Sequence, residues 1–272
     1  MAKGFGVVTR YPRHAEAVRP AFWEVKDVGG ARRAPRPGTV PMVSCFGDNR
    51  VARAHPDWVQ VGPGGMRADR TAPYFDWDAL CPTRPEVRRL ALEWVAAAVA
   101  GGTPGTGLRL DDVTYAREGF CQCAVCRAEA AAAGEDLDQL HARVIRDFVR
   151  EVRARVAGPL YFTLFPDPYP GRLERRFGIR PAELDPYVDV YVVPLYDLAY
   201  ATTYWLEVLA GAFAERLARP FWVELYALGV PEERLVKAAL VAATYAAGVL
   251  LAYGNRLETI RRVEAALRER FG

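Results

Sequence analysis

Lysine, serine and asparagine are almost missing from this 272-residue chain. They occur only at Lys3, Lys26, Lys237, Ser44, Asn49 and Asn255. Arginine supplies nearly all of the positive charge, and alanine and proline are abundant. Few thermolabile amides and many loop prolines are typical of thermophilic proteins, although a GC-rich genome produces a similar bias. We therefore expect a thermophilic source.

Long apolar runs and charge blocks are missing as well. The longest apolar stretch, residues 238–252, is interrupted by Thr244, Tyr245 and Gly248 and is shorter than the roughly 20 residues of a membrane helix. The N-terminal residues lack the apolar segment and cleavage site of a signal peptide. The net charge is only +3, with basic residues scattered among acids. We expect a cytoplasmic protein that binds neither membranes nor nucleic acids, and an oligomer is possible.

Short apolar runs alternate with amphipathic segments along the chain. The runs predict eight strands, at residues 4–9, 21–25, 40–46, 108–110, 159–165, 188–195, 221–226 and 249–253. From Thr83 onward, helical spacing predicts helices between the strands and a closing helix over residues 256–271. Eight such units in about 250 residues match a (β/α)8 TIM barrel. We predict an α/β fold with a single TIM-barrel domain over residues 1–272.

The N-terminal part fits this pattern less regularly. The first two units are short, and a long aromatic-rich loop over residues 50–80 follows strand three. Loops of this length inside a compact domain are usually functional. The helix after the loop is predicted to begin with a capping box formed by Thr83 and Glu86. Binding residues are therefore expected in this irregular part.

Several predicted strands end in acidic or polar residues, most prominently the fourth, which leads into adjacent Asp111 and Asp112. Active sites of (β/α)8 barrels lie at the C-terminal ends of the strands. We predict Asp111, Asp112 and Glu224 as catalytic residues. The predicted substrate-binding residues are Arg109, Asp48, Asn49, Trp58, Trp77, Tyr115, Asp167, Tyr196, Asp197, Tyr226 and Asn255.

Three of the five cysteines, Cys121, Cys123 and Cys126, lie within six positions. In a reducing cytoplasm such spacing favours a metal site over disulfides. A closed tetrahedral zinc site needs a fourth ligand, for which Cys81 is the first candidate and His55 the alternative. We predict a structural zinc ion held by the four cysteines, which would pin a loop near the carboxylates.

The strand-four acid, the C-x-C-x-x-C cluster about nine residues later and a cysteine about forty residues earlier resemble the zinc-containing β-galactosidases of glycoside hydrolase family 42. This resemblance implies a (β/α)8 hydrolase with Asp112 in the acid/base place, where that clan carries Asn-Glu, and Glu224 in the nucleophile place. Residues 55–58 and 80–87 also resemble uncharacterised glycosyl-hydrolase-like barrels of bacteria and archaea, in which the strand-four acid would be Asp111.

Glycoside hydrolysis needs two carboxyl groups across the scissile bond, one of them protonated. Because a neighbouring like charge raises a pKa, the pair Asp111 and Asp112 favours one protonated carboxyl near neutral pH. A second arrangement, as in retaining α-galactosidase-like barrels, uses Asp111 as nucleophile and Asp197 as acid. A third interpretation is a non-catalytic carbohydrate-binding or degenerate barrel. All three predict a carbohydrate partner.

Each singled-out residue also has a purely structural interpretation. For Glu224 this interpretation is an ion pair with an arginine inside the barrel, since buried acids are normally paired. Trp58 and Trp77 are as compatible with loop packing as with sugar stacking. Cys45, within an apolar run, is predicted as core, and His141 as a surface residue of a helix.

Overall fold

The computed structural model describes residues 3–254 and 256–272. Its strands are β1 Gly4–Thr9, β2 Ala21–Lys26, β3 Val40–Ser44, β4 Leu108–Asp111, β5 Leu160–Thr163, β6 Val190–Pro194, β7 Phe221–Tyr226 and β8 Gly248–Ala252. Neighbours in chain order pair in parallel, and β8 pairs with β1 to close a barrel. The predicted (β/α)8 TIM barrel is therefore confirmed.

Helices cover the outside of the barrel. They are α1 Pro12–Ala17, α2 Asn49–Ala54, α3 Pro85–Gly101, α4 Ala124–Ala133, α5 Leu137–Arg153, α6 Arg172–Phe177, α7 Pro181–Leu184, α8 Tyr204–Arg216, α9 Glu232–Tyr245 and α10 Leu257–Phe271. Buried apolar residues on the long helices pack against the outward-facing strand residues in one large core. No helix in the described ranges is long and apolar enough to cross a membrane.

Alternate strand residues face the barrel interior. Phe22 and Tyr161 meet there edge to face, with ring centroids 4.9 Å apart. At the N-terminal end of the barrel the Trp222 ring fills the centre, because Cβ atoms at Gly4 and Gly248 would lie 2.4 and 2.6 Å from it. This packed floor leaves the C-terminal mouth as the place where inward-facing polar groups gather.

The N-terminal units are irregular, as predicted. Helix α1 has only six residues, and β2 continues to β3 without a helix. The long segment after β3 is more ordered than expected, because it contains α2 and the 3-10 helices Pro56–Trp58 and Pro63–Gly65. An isolated antiparallel bridge between Val59 and Leu80 ties this segment to itself. Such short helices leave too few turns for a recognisable apolar period.

The predicted capping box at the start of α3 is wrong. Arg84 precedes the helix without a side-chain capping bond, and Pro85 occupies the first turn. The Thr83 hydroxyl instead lies 2.7 Å from the Tyr115 hydroxyl and 3.1 Å from the Cys126 sulfur. Buried polar groups need partners, so these tertiary contacts take the hydroxyl away from the helix end.

Candidate active site and cysteine cluster

The polar centre of the barrel mouth is Arg109 on β4. Its side chain is 1% exposed, and its Nε donates to the Thr163 hydroxyl at 3.1 Å. A terminal nitrogen donates to the Glu224 carboxylate, and the guanidinium lies 5.6 Å from the Phe22 ring centre. Burial opposes the charge, but the carboxylates of Glu224 and Asp111 raise the pKa of Arg109 above its ordinary value. Arg109 is therefore a fixed positive charge.

Glu224 on β7 is fully engaged. One carboxylate oxygen accepts from Arg109 and the other from the Tyr196 hydroxyl. Its side chain is only 1% exposed, whereas Tyr196 is 43% exposed. Burial of the hydroxyl and the Glu224 charge raise the pKa of Tyr196 well above its usual value, so it remains a donor. Glu224 thus forms the ion pair that its structural interpretation anticipated.

Asp111 is the open acid of the mouth. It ends β4, is partly exposed, and its backbone carbonyl accepts from the Cys45 amide at 2.9 Å. Its carboxylate forms no hydrogen bond within residues 3–254 and 256–272. Its charge acts on Arg109, Glu24 and Tyr253, which places it among the inward-facing polar groups. Asp111 therefore offers free carboxylate oxygens to a ligand.

Asp112, the residue directly after β4, has a left-handed backbone conformation with φ of 52°. Burial, followed by the charge of Asp111, raises the pKa of Asp112 to about 7. A hydrogen bond from Ser44 and the charge of Lys26 act in the opposite direction. Its Oδ2 is buried without a hydrogen-bond partner in the described part of the chain. Asp112 can therefore gain or lose a proton near neutral pH.

A cavity of about 190 Å³ opens beside Asp112. Seven of its fifteen lining residues are aromatic: Phe46, Tyr74, Phe75, Trp77, Tyr115, Phe165 and Phe177. Arg117 also lines it, with its guanidinium 5.0 Å from the Tyr74 ring centre. Aromatic walls with few polar groups are typical of small-ligand sites. Two predicted substrate-binding residues, Trp77 and Tyr115, therefore meet the candidate acid in one cavity.

Asp48 and Asn49 support the loop and do not line this cavity. Asp48 caps α2 by accepting two backbone N–H groups, and it pairs with Lys26 at 3.2 Å, both side chains being 1% exposed. The Asn49 side-chain oxygen accepts from the Asp78 amide at 2.8 Å. Buried polar groups satisfied in this way hold the backbone of the loop rather than a ligand.

Trp58 packs within the same loop. Its ring stacks on His55 at a centroid distance of 3.9 Å and an angle of 11°, and it lies partly buried against the core. Trp58 therefore packs within the loop, whereas Trp77 lines the cavity. The stacking also directs the His55 ring to Trp58, and His55 is not part of the cysteine cluster.

The remaining described residues of the prediction lie after β5 and β6 and at the end of β7. Asp167 is 7% exposed and pairs with an arginine of α6. Asp197 is partly exposed and accepts from a backbone amide two residues later at 2.7 Å. The rings of Tyr226 and Tyr196 are 5.6 Å apart at the mouth. The prediction for Asn255 falls outside the described residues.

Two residues of the mouth were missed by the sequence analysis. Glu24 on β2 is 4% exposed and lies two positions after Phe22, which faces the barrel interior. The Tyr253 hydroxyl donates to Glu24 Oε1 at 3.4 Å. A single charged residue at an inward position of an apolar strand was the signal that could have identified Glu24.

Four cysteines converge beside the loop that follows β4. The sulfur of Cys81 lies 3.8 Å from that of Cys123 and 3.5 Å from that of Cys126, and the latter two are 3.7 Å apart. With Cys121, all four sulfurs lie within 4.8 Å of one another and are buried. Sulfurs bound tetrahedrally at about 2.3 Å are about 3.8 Å apart. The cluster can therefore hold a metal ion, and Cys45 lies apart from it in the core.

His141 supports this cluster, so its predicted surface position is wrong. It is 3% exposed, its Nε2 lies 3.1 Å from the Cys121 carbonyl oxygen, and its ring stacks on Tyr115 at 3.8 Å. The Val61 amide donates to the Cys121 sulfur at 3.3 Å. Because Tyr115 also lines the aromatic cavity, the cysteine cluster and the cavity share one wall.

Comparisons with known proteins agree on the fold. No protein-family model and no curated protein matches the chain. The PgaB (BpsB) glycoside hydrolase domain from Bordetella bronchiseptica is 14% identical, with a TM-score of 0.69 over 98% of both chains. The α-L-fucosidase isoenzyme 2 from Paenibacillus thiaminolyticus is also 14% identical, with a TM-score of 0.69, over 99% of this chain and 49% of that one. The chain thus has the barrel of these glycoside hydrolases and spans about half the length of the fucosidase.

Proposed function

We propose that this chain is a glycoside hydrolase whose reacting carboxyl groups come from the end of β4. The observation that carries the proposal is the pair Asp111 and Asp112: the first carboxylate is open, and burial raises the pKa of the second to about 7. Hydrolysis of a glycosidic bond needs one carboxylic acid and one carboxylate. The cavity with Trp77 in its wall offers a place for a sugar ring.

Asp112 takes the role of general acid and base. Its carboxyl group donates a proton to the glycosidic oxygen as the bond to the anomeric carbon breaks. If Asp111 is the nucleophile, Asp112 then takes a proton from the water that hydrolyses the covalent glycosyl intermediate; if Asp111 is the base, the proton of the attacking water goes to Asp111. Asp111 takes the charged role, as nucleophile or as the base that activates water. The buried Arg109 gives this site a positive charge that cannot serve as a proton donor.

Glu224 is the competing nucleophile. The resemblance to family 42 favours it, but its oxygens are occupied by Arg109 and Tyr196 and its side chain is 1% exposed. It reaches a substrate only if the Tyr196 hydroxyl moves away. Because Asp111 requires no such movement, we assign it the charged role and keep Glu224 as the residue that the experiment below must separate from it.

Three further observations support a carbohydrate substrate. Two solved proteins that share the barrel are named as a glycoside hydrolase domain and an α-L-fucosidase. The strand-four acid and the cysteine spacing resemble family 42 β-galactosidases. The aromatic loop residues Tyr74, Phe75 and Trp77 offer ring faces of the kind that stack on sugars.

We propose zinc as the metal of the cysteine cluster. Four thiolates favour zinc among the common metals and leave no open position for a substrate or water. The ion would therefore be structural. It would fix Cys81 before α3 to the residues after β4, Cys121, Cys123 and Cys126, and thereby hold the cavity wall that includes Tyr115.

A non-catalytic carbohydrate-binding barrel is the second candidate, and the occupied state of Glu224 is the observation that favours it. An arrangement with Asp111 as nucleophile and Asp197 as acid is the other hydrolytic option. It is favoured by the free carboxylate of Asp111, although Asp197 already accepts a backbone hydrogen bond. All three candidates share a carbohydrate ligand. The two hydrolytic candidates differ in which variant abolishes turnover, and the binding barrel has no turnover.

The first experiment is a screen of the wild-type protein against nitrophenyl α- and β-glycosides, followed by kinetics of single variants on the best substrate. We expect D111N to lose at least about 10³-fold in kcat and azide to restore part of it as a glycosyl azide. D112N should retain activity on a dinitrophenyl glycoside, whose leaving group needs little protonation, and lose about 10²–10⁴-fold on a poor leaving group.

The other outcomes separate the competing assignments. Azide rescue of E224Q instead of D111N would transfer the nucleophile role to Glu224. A leaving-group dependence in D197N instead of D112N would transfer the acid role to Asp197. Turnover that D111N, D112N and E224Q all leave unchanged, or none on the whole panel, would contradict the hydrolase proposal.

A further inference from the structure

Glu24 is a buried carboxylate that the proposed mechanism does not use. It lies on β2, with its side chain 5% exposed, at an inward position of the barrel. Burial raises the pKa of Glu24, Asp27 and Asp111 raise it further, and Arg10 and Arg33 oppose this. A carboxylate in such a place needs hydrogen-bond donors. The donors that it has are few.

Three side chains lie near the carboxylate of Glu24. Tyr253 donates to Oε1 at a long 3.4 Å, and Arg33 Nη1 is 4.0 Å from Oε2. Arg10 Nη2 lies 3.0 Å from Oε2, but its side chain is 45% exposed and Oε2 receives no well-directed hydrogen bond in the described part of the chain. Glu24 therefore has acceptor capacity left for a ligand, and Arg10 is free to move with it.

An open cavity of about 330 Å³ lies next to these groups. It is lined by Arg10, Tyr11, Tyr226, Leu228 and Tyr253. The rings of Tyr226 and Tyr253 are 6.3 Å apart, and Arg10 lies 5.7 Å from the Tyr253 ring centre. This volume is at the lower end of the range for small-ligand pockets. It is separate from the cavity beside Asp112, with which it shares no lining residue.

The conformation of Tyr253 also marks this place. The residue directly follows β8 and has a φ of 62°, which non-glycine residues rarely adopt. Such outliers cluster at ligand sites, where the backbone aims a side chain in a way that a relaxed backbone would not. Here the result is a hydroxyl that reaches Glu24 past β1, from the end of the eighth strand to the second.

We propose that Glu24, Arg10, Tyr226 and Tyr253 form a second sugar subsite that binds one neutral sugar unit through its hydroxyl groups. Glu24 accepts from two hydroxyl groups, Arg10 and Tyr253 donate to the ring substituents, and the tyrosine rings cover the apolar face of the sugar. This inference rests on the proposed function, because it makes the substrate a glycoside that extends over the mouth from Asp111.

The charges select neutral sugars. Glu24 and Asp111 act on one another as like charges, and Tyr253 lies within reach of Glu24, Glu224 and Asp111. Arg109 is already paired with Glu224 and Arg33 with Asp27, so Arg10 is the cation left beside Glu24 and Asp111, and a uronic acid placed there would be repelled. The subsite is therefore expected to prefer hydroxyl-rich neutral sugars over acidic ones.

Binding tests this subsite without relying on turnover. Titration calorimetry would use the full chain carrying D112N, which slows turnover and keeps the Asp111 charge, and the methyl glycosides of glucose, galactose, mannose, xylose and fucose, with methyl glucuronide as the acidic comparison. We expect one neutral glycoside to bind and the glucuronide to bind at least about tenfold more weakly. Adding E24Q should weaken the neutral sugar about 10- to 100-fold, because hydrogen bonds to a charged group are lost.

The matched control is E16Q, which changes an exposed glutamate of α1 that pairs with Arg36 and should leave binding unchanged. Deoxy analogues supply a readout that a purely structural role would not move. The analogue lacking the hydroxyl that Glu24 binds should have nearly equal affinity for the parent and the E24Q protein. Circular dichroism and the melting temperature check that E24Q is folded.

The outcomes keep this inference apart from the proposed function. Sugar binding that depends on Glu24, in a protein without turnover, would support the subsite and count against the hydrolase. Turnover with an unchanged KM in E24Q and no effect of deoxygenation would overturn the subsite and leave the hydrolase standing. Failure of every neutral glycoside to bind, or tighter binding of the glucuronide, would also overturn the subsite.

Discussion

The acids at the ends of β4 and β7 have opposite environments. At the β7 end, Glu224 has a donor on each oxygen, from Arg109 and Tyr196. At the β4 end, Asp112 has a buried oxygen with no donor, and its pKa is raised to about 7. Burial alone therefore does not decide the state of a carboxyl group. The number of donors that reach it decides whether the charged form is stabilised.

Metal removal from the cysteine cluster would test whether the different environments of the β4 and β7 acids depend on the structure around β4. Stripping the metal with a strong chelator at neutral pH should destabilise the fold by more than about 5 kcal/mol, because a structural zinc site contributes folding energy directly. The melting temperature and metal analysis of the purified protein report it. C45A is the control, since this core thiol lies outside the cluster and its removal should leave the chelator effect unchanged. Resistance of the wild type to chelation would contradict the metal prediction.

Removing Arg109 should turn the paired carboxylate of Glu224 at the β7 end into an unpaired buried charge. R109L leaves Glu224 buried without its cation and should cost about 3–5 kcal/mol in the free energy of unfolding. The double variant R109L/E224L should regain most of this loss, because an apolar pair carries no buried charge. Urea unfolding at pH 7.5 measures both. Equal stabilities of the single and double variants would mean that the pair is not a buried ion pair in solution.

At the β4 end, by contrast, neutralising the Asp112 carboxyl should raise the free energy of unfolding. The folded pKa of Asp112, about 7, lies above its unfolded value near 3.9, so the native state binds more protons between these values. Stability from this group is therefore present at low pH and is lost as pH rises from about 4 to 7. Relative to D112N, the wild type should lose about 2–4 kcal/mol between pH 4 and pH 8.

The control for this pH series is D76N, which changes an exposed aspartate lining the same cavity. Its difference from the wild type should stay within about 0.5 kcal/mol across the same range, as for most surface substitutions. Parallel stability curves for D112N and the wild type would show that the Asp112 carboxyl does not titrate near neutral pH in the folded protein.

The smallest expected change removes one of the two donors of Glu224. Y196F deletes the hydroxyl that bonds to Glu224 and should cost about 1–2 kcal/mol, since Arg109 still satisfies the other oxygen. Urea unfolding of Y196F should fall between those of the wild type and R109L. Y204F, on an exposed tyrosine of α8, is the neutral control. A loss of stability as large as that of R109L would mean that the Tyr196 hydroxyl contributes as much to the stability of the β7 end as the ion pair with Arg109 does.

The local patterns of the sequence predicted much of this molecule. Apolar strands alternating with amphipathic helices indicated the barrel, because helical and strand periods are local properties of consecutive residues. The close spacing of Cys121, Cys123 and Cys126 predicted a cluster with Cys81, and their sulfurs are brought together. Two predictions from these local patterns were wrong, the capping box at Thr83 and the surface position of His141, because local patterns do not include contacts with distant groups.

Other features depended on closure of the barrel. Arg109 and Glu224 are 115 positions apart and meet only because β4 and β7 face one another across the interior. Glu24 and Tyr253 are 229 positions apart and meet because β8 and β1 close the sheet beside β2. Sequence spacing holds no information on such distances.

The sequence by itself thus determined the barrel, the acids at the end of β4 and the cysteine cluster, since each follows from short-range pattern. Tertiary structure alone decided which acids are bonded and which are open. Hydrogen-bond donors reach a buried carboxylate only where strand register and barrel closure bring them within about 3 Å. This is why Glu224 is occupied and Asp111 is free, while burial and the neighbouring Asp111 charge raise the pKa of Asp112 to about 7.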